Sequence, residues 1–177
     1  ELDHEEIKNI VDNTTTPIEI FCHGHLCISY SGQCLISSLI GKRSGNRGLC
    51  ASSCRKEYNH KGYLLSPKDL ALLNLVPKLI ESGIHTIKIE GRMKSPEYVG
   101  IVTRYYRKAL DNYYNGQWVD FTEEDFNQIR MGFNRDFTTG FYDGKKYSEV
   151  LGTTMPTHRG IYLGKIENRT LLLEHEL

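Results

Sequence analysis

Four cysteines in one stretch, Cys27, Cys34, Cys50 and Cys54, restrict what this chain can fold into more than any other feature. Six residues separate the first pair, fifteen the middle pair and three the last. Thiolates are soft ligands, and four brought together suit an iron–sulfur cluster or a tetrahedral zinc ion. A segment that wraps such a centre is built of loops, and Gly24, Gly32, Gly41, Gly45 and Gly48 punctuate it accordingly. A fifth cysteine, Cys22, lies just upstream, so the count does not close into disulfide pairs.

Spacing alone leaves three readings of these cysteines: an iron–sulfur centre, a structural zinc site, or inert buried thiols. Structural zinc commonly uses tighter two-residue gaps in both halves, a pattern missing here. No apolar signal segment precedes the cysteines, which speaks against an oxidising compartment and its disulfides. Whether Cys22 joins the centre is not fixed by spacing.

The 177 residues suffice for one core with a small appendage. Lys plus Arg equals Asp plus Glu at 22 each, so overall charge favours neither nucleic acid nor membrane, while a local basic groove stays compatible. No apolar run approaches the length of a membrane span. The expectation is a soluble, cytoplasmic protein.

Ile7, Ile10 and Val11 predict a short amphipathic helix over residues 4–12, and residues 17–24 read as a buried strand ending at a glycine. A helical turn is expected around residues 35–40. Ser66-Pro67-Lys68-Asp69 carries a helix-start pattern, with serine to cap and proline in the first turn. Pro77 would break the apolar segment that follows into two helices, and residues 85–91 form the next strand. Ser95-Pro96-Glu97 repeats the starting device. The helix it opens carries a tyrosine stripe that periodicity assigns to the core, and Gly116 ends it.

This alternation of helix and strand is the rhythm of an α/β protein with a parallel sheet. The expected architecture is the C-terminal half of a (β/α) barrel of the TIM type over residues 1–116, then a mixed helical and polar extension over 117–155. Residues 156–177 read as the start of a small β-barrel-like module.

Beyond the cysteines, Lys88-Ile-Glu-Gly-Arg92 ends a strand, and alternation puts Lys88, Glu90 and Arg92 on one face. Such a strand end is where α/β folds hold ligands. A Lys/Arg pair can grip a carboxylate or phosphate there, while Glu90 orients it or exchanges a proton. A structural ion pair at the same place is the plainer reading. His23 and His25 close the earlier strand, His23 the stronger candidate for a catalytic or substrate contact. The glycine-rich loop over residues 41–48 is basic, so Lys42, Arg43 and Arg47 could meet phosphate, although a flexible surface loop has the same composition.

Longer motifs carry a family resemblance. The runs from Glu19 to Ser37, Arg43 to Arg55, Leu65 to Leu70, Lys88 to Ser95 and Gly132 to Gly140 resemble, in order, the blocks of the collagenase-like peptidase family, peptidase U-32. The chain is most similar to its tRNA-uridine hydroxylase branch, in Cys-x-x-x-Cys-Arg and Lys-Ile-Glu-Gly-Arg. That resemblance implies an iron–sulfur-dependent enzyme that hydroxylates a tRNA uridine. Cys27, Cys34, Cys50 and Cys54 would hold a four-iron cluster (4Fe-4S). His23, Lys88, Glu90 and Arg92 would line the catalytic site, and prephenate would be the anionic co-substrate. The implied partners are tRNA and a missing N-terminal barrel half, or a partner chain supplying it; no membrane is expected. A collagenase-like peptidase and a non-catalytic metal-stabilised module are the alternatives. Two positions depart from the family pattern: His25 stands where a small residue is usual, and Asp136 where the block has glycine.

Overall fold

The computed structural model describes residues 1–30, 32–91 and 93–173. The first helix, α1 (His4–Asp12), begins at a capping box: the Asp3 carboxylate accepts from the Glu6 N–H and the Glu6 carboxylate accepts from the Asp3 N–H. Strand β1 (Glu19–His25) follows, then the cysteine loops with the short α2 (Ile36–Gly41) inside them. Strand β2 (Asp69–Ala71), helix α3 (Val76–Glu81), strand β3 (Thr86–Ile89) and the long α4 (Pro96–Tyr114) complete the first part. Ser95 caps α4 by accepting from the Tyr98 N–H, with Pro96 in the first turn. Then come α5 (Glu123–Gly132), β4 (Phe137–Thr138), α6 (Tyr147–Val150) and an antiparallel hairpin of β5 (Gly164–Glu167) and β6 (Thr170–Leu173).

The main sheet has the order β3-β1-β2-β4. β1 runs parallel to β3 and β2 parallel to β4, but β1 and β2 are antiparallel, pairing His23 with Ala71 and His25 with Asp69. The class is α/β as expected, with a mixed sheet where successive (β/α) units would make parallel pairs alone. The reason lies in the connection. Between β1 and β2 the chain runs through the cysteine loops rather than a crossover helix, so β2 is free to return in the opposite direction.

Two expectations need correction. Ser66-Pro67-Lys68-Asp69 leads into a strand, not a helix, because its polar groups serve distant partners. The Ser66 hydroxyl accepts from Arg55, the Lys68 N–H donates to the Val150 carbonyl and the Asp69 N–H to the Asp136 carbonyl. Pro77 does not divide two helices; it sits in the first turn of α3, where its missing N–H costs nothing.

One core lies between the sheet and α4. Cys22, Leu72, Leu73, Val76, Leu79, Val102, Tyr106 and Ala109 are buried in it, and Phe121 and Ile129 bring residues 117–132 into the same cluster. The tyrosine stripe packs as expected at Tyr98, Tyr105 and Tyr106. Two of its hydroxyls also tie down strand ends. Tyr106 accepts from the Leu72 N–H and donates to the Cys22 carbonyl (2.7 Å), and Tyr98 donates to the Glu90 carbonyl (3.1 Å). No helix among the described residues is long and apolar enough to cross a membrane.

Candidate functional site

The four cysteines come from separate loops: Cys27 just after β1, Cys34 ahead of α2, Cys50 beyond a 3₁₀ turn, and Cys54 within the 3₁₀ turn Ser53–Arg55. All are free thiols, and all line one cavity of about 360 Å³. Local hydrogen bonds shape its wall. The Ser37 hydroxyl accepts from the Ala51 N–H and lies 3.8 Å from Cys50 Sγ, which also accepts from the Ser52 N–H at 3.3 Å. The Asn46 amide donates to the Gly32 carbonyl and pins the two halves of the loop together. Four soft donors around one cavity are side chains of the type that could hold a thiolate-bound metal centre. Among the described residues, no three His, Cys, Asp or Glu side chains converge closely enough to hold a single ion. The sulfurs stand apart around a space roughly ten times the volume of a water molecule.

Cys22 is not part of that wall. It is buried in the core, its thiol donates to the Lys88 carbonyl, and burial pushes its pKa up to about 12.

A second, larger hollow of about 560 Å³ runs along β1 and is lined mainly by apolar residues, including Ile20, Leu70, Leu72 and Tyr142. His23, Thr139 and Cys27 also line it, so Cys27 stands in the walls of both spaces. His23 is 1% exposed. Its Nδ1 lies 3.4 Å from the Tyr106 hydroxyl, whereas its Nε2 is buried without a hydrogen-bond partner among the described residues, as is Thr139 Oγ1. Burial, reinforced by the charge of Lys94, holds the His23 imidazole down to about 3, so it is neutral at ordinary pH.

The C-terminal ends of β1 and β3 meet at Gly24 and Glu90. The Glu90 carboxylate accepts from the His25 N–H at 3.2 Å, and the Glu90 N–H donates to the His23 carbonyl. Around this junction lie cations that sequence reasoning did not single out. Arg135 grips Asp69 through Nε and Nη2 in a buried ion pair, at 2.7 Å for the closest contact. Lys94 stacks over Phe133, and burial pulls its pKa down to about 8. Burial, and after it the charges of Arg135, Arg55 and Lys94, pushes His25 down to about 3.

Lys88 is elsewhere: it is exposed, bonded to Glu19 at 2.7 Å and poised over Phe21. Of the expected catalytic set, His23 and Glu90 are thus brought together, Lys88 stands apart on the surface, and Arg92 lies outside the described residues. Lys42, Arg43 and Arg47 are exposed on the loop whose Gly45 and Asn46 line the cysteine cavity, which puts the basic residues at its rim. Asp136 adopts the left-handed φ of 63° that a glycine would favour, and Arg159 bonds its carboxylate.

The comparisons with known proteins bear on the family of the chain. The family described as Peptidase family U32 matches residues 1–152. The chain belongs to this family. Among U32 relatives, it is 37% identical over 156 residues to tRNA hydroxylation protein P1 of Bacillus subtilis, covering 78% of this chain and 37% of that protein. It is 36% identical over 183 aligned positions to a collagenase of Porphyromonas gingivalis, covering 92% and 44%. It is 36% identical over 157 positions to tRNA hydroxylation protein P of Helicobacter pylori, covering 77% and 36%. The U32 chain therefore spans less than half the length of each of these relatives. No solved structure gives a significant match.

Proposed function

We propose that this U32 chain carries the reaction centre of an iron–sulfur-dependent RNA hydroxylase acting on a uridine of tRNA. The observation that carries the reading is the position of Cys27, shared between the four-cysteine cavity and the apolar hollow that holds His23. A redox centre on the thiols would adjoin a space large enough for a flat ring. Relatives named for tRNA hydroxylation support the same substrate class.

Cys27, Cys34, Cys50 and Cys54 would hold a 4Fe-4S cluster, which supplies one-electron redox chemistry when bound. The chain's own residues bind and orient. Neutral His23 offers its free Nε2 to a polar substituent of the ring, as donor or acceptor according to tautomer. Glu90 fixes the end of β1 through the His25 N–H. Among the described residues, Lys94, whose charge His23 senses, is the cation placed to hold an anionic co-substrate such as prephenate; Lys88 is already engaged with Glu19. Lys42, Arg43 and Arg47 would meet RNA phosphates at the cavity rim.

Proteolysis, the activity in the name of the collagenase relative, calls for an activated nucleophile, either a side chain or a water activated by a metal ion or carboxylates; the side-chain candidates are poorly suited. Burial raises the pKa of Cys54 as well as that of Cys22, the direction opposite to a reactive thiol. Ser82 lies beside His4 Nδ1, but it is buried and its hydroxyl donates to the Lys78 carbonyl.

Metal and sulfide analysis of anaerobically purified protein tests the proposal. The expected result is about four irons and four sulfides per chain, lost in Cys34→Ser. Hydroxylated uridine in tRNA, scored by mass spectrometry, is the matching readout of activity. Stoichiometric zinc, or peptide cleavage that survives loss of the iron, would overturn it.

A further inference from the structure

We propose that Arg55 seats the carboxylate of a small-molecule ligand on the Nε and Nη2 edge of its guanidinium. It rests on the reading above for the kind of ligand, an anionic co-substrate, and on Arg55 itself for the place.

Arg55 closes the 3₁₀ turn Ser53–Arg55. Ser53 and Cys54 of that turn line the cysteine cavity, so Arg55 is attached at its edge. Its Nη1 donates to the Ser66 hydroxyl at 2.7 Å and to the Pro67 carbonyl. These bonds hold the guanidinium in one orientation. The other edge, Nε with Nη2, carries parallel N–H bonds that match the two oxygens of a carboxylate. Both atoms are buried, and neither has a hydrogen-bond partner among the described residues. Leaving a buried, charged donor unsatisfied is costly, and buried polar groups nearly always find an acceptor. An oriented pair of such donors therefore calls for an acceptor from outside the chain.

The surroundings favour an anion. Asp69, two residues beyond Pro67, is gripped by Arg135 through Nε and Nη2, and the free edge of Arg55 makes no bond to it. Arg135 in turn lies over the Phe133 ring at 5.1 Å, and Lys94 caps the same ring. Arg55, Arg135 and Lys94 thus follow one another through a run of contacts that contains a single acid, Asp69. The excess of positive charge suits an anionic guest. Burial of the fork selects the kind of anion. A phosphodiester within an RNA strand carries a sugar on each side and cannot bring its oxygens down to atoms covered by protein. A terminal carboxylate has two coplanar oxygens with nothing beyond them, so it can.

The test is titration of the purified chain, labelled with ¹³C and ¹⁵N, with acetate, prephenate, inorganic phosphate and a short oligouridylate. The Arg55 Nε–H resonance, assigned through its side-chain carbons, is expected to move saturably with acetate and with prephenate. Prephenate affinity by calorimetry should fall roughly tenfold in Arg55→Lys, which keeps the charge and loses the paired geometry, and further in Arg55→Gln. If the variants do not fold, the wild-type resonance decides alone. A resonance that ignores either carboxylate, or equal prephenate affinity in all three proteins, would overturn the assignment. So would a response to phosphate or oligouridylate at lower concentration than to prephenate, the mark of a seat for RNA phosphate. Iron content of the same sample reports on the cluster reading separately. Iron-free protein that binds the carboxylates keeps this seat without that reading, and iron-loaded protein that ignores them keeps that reading without this seat.

Discussion

Arg135 and Asp69 face each other through N–H···O contacts of 2.7, 3.1 and 3.3 Å, with both side chains almost fully buried. Removing one partner leaves a buried charge without the paired hydrogen bonds that satisfied it. Arg135→Ala should therefore cost about 3–5 kcal/mol of unfolding free energy in urea titrations, and the joint replacement Asp69→Leu with Arg135→Met much less. Equal losses in the single and double variants would mean that the pair is not the source of the cost. His23 gives a second prediction, read in pH. Its folded pKa of about 3 lies below the ordinary 6.5, so the unfolded chain binds the extra proton between those values. Stability from its neutral burial is complete above about pH 6.5 and is lost as pH falls toward 3. His23→Phe should flatten the acid limb of the stability curve; a limb of unchanged slope would refute this account of His23.

Strand β1 shows how two elements fix a site between them. Gly24 has a φ of +116°, and a Cβ added there would lie 2.8 Å from the Glu90 carbonyl oxygen and 2.9 Å from its Cβ. Gly24→Ala is expected to push β1 and β3 apart, at a cost on the order of 1–3 kcal/mol. It should also speed hydrogen exchange at the His25 amide, whose acceptor is the Glu90 carboxylate; unaltered protection there would rule out the wedge. The elements legible in the sequence are those with local signals: the apolar spacing of Ile7, Ile10 and Val11 in α1, and the Ser95-Pro96-Glu97 start of α4. Residues 66–69 carry a similar local pattern yet form the approach to a strand, because Asp69 is claimed by Arg135, 66 residues away. The site divides along the same line. Cysteine spacing and strand ends mark the cavity, His23 and Glu90. Arg55, Lys94 and Arg135 reach their places through long-range packing and pairing, and no periodicity within their own segments announces it.

For the molecule as a whole, equal numbers of acidic and basic residues supply no general attraction to RNA, so the proposed tRNA binding must come from where charges are placed. The loop carrying Lys42, Arg43 and Arg47 is the place that the cysteine cavity selects, since the same loop supplies Gly45 and Asn46 to its wall. Arg43 is partly structural, because its Nε donates to the Leu49 carbonyl and closes the turn. Lys42, at the left-handed end of α2, and Arg47, in the turn Gly45–Arg47, carry exposed charges that can be removed without breaking a backbone bond made by their side chains. Replacing both by glutamine should leave iron content unchanged and weaken tRNA binding. Each phosphate that is no longer neutralised reduces the slope of log affinity against log salt by roughly 0.7 for a single-stranded loop, so the pair should reduce it by roughly 1.4. A weaker affinity with an unchanged slope would mean that the loop acts through shape rather than charge. An unchanged affinity would move the RNA-binding face away from the cysteine cavity, and the substrate would then have to approach the hollow beside His23 from the opposite side of Cys27.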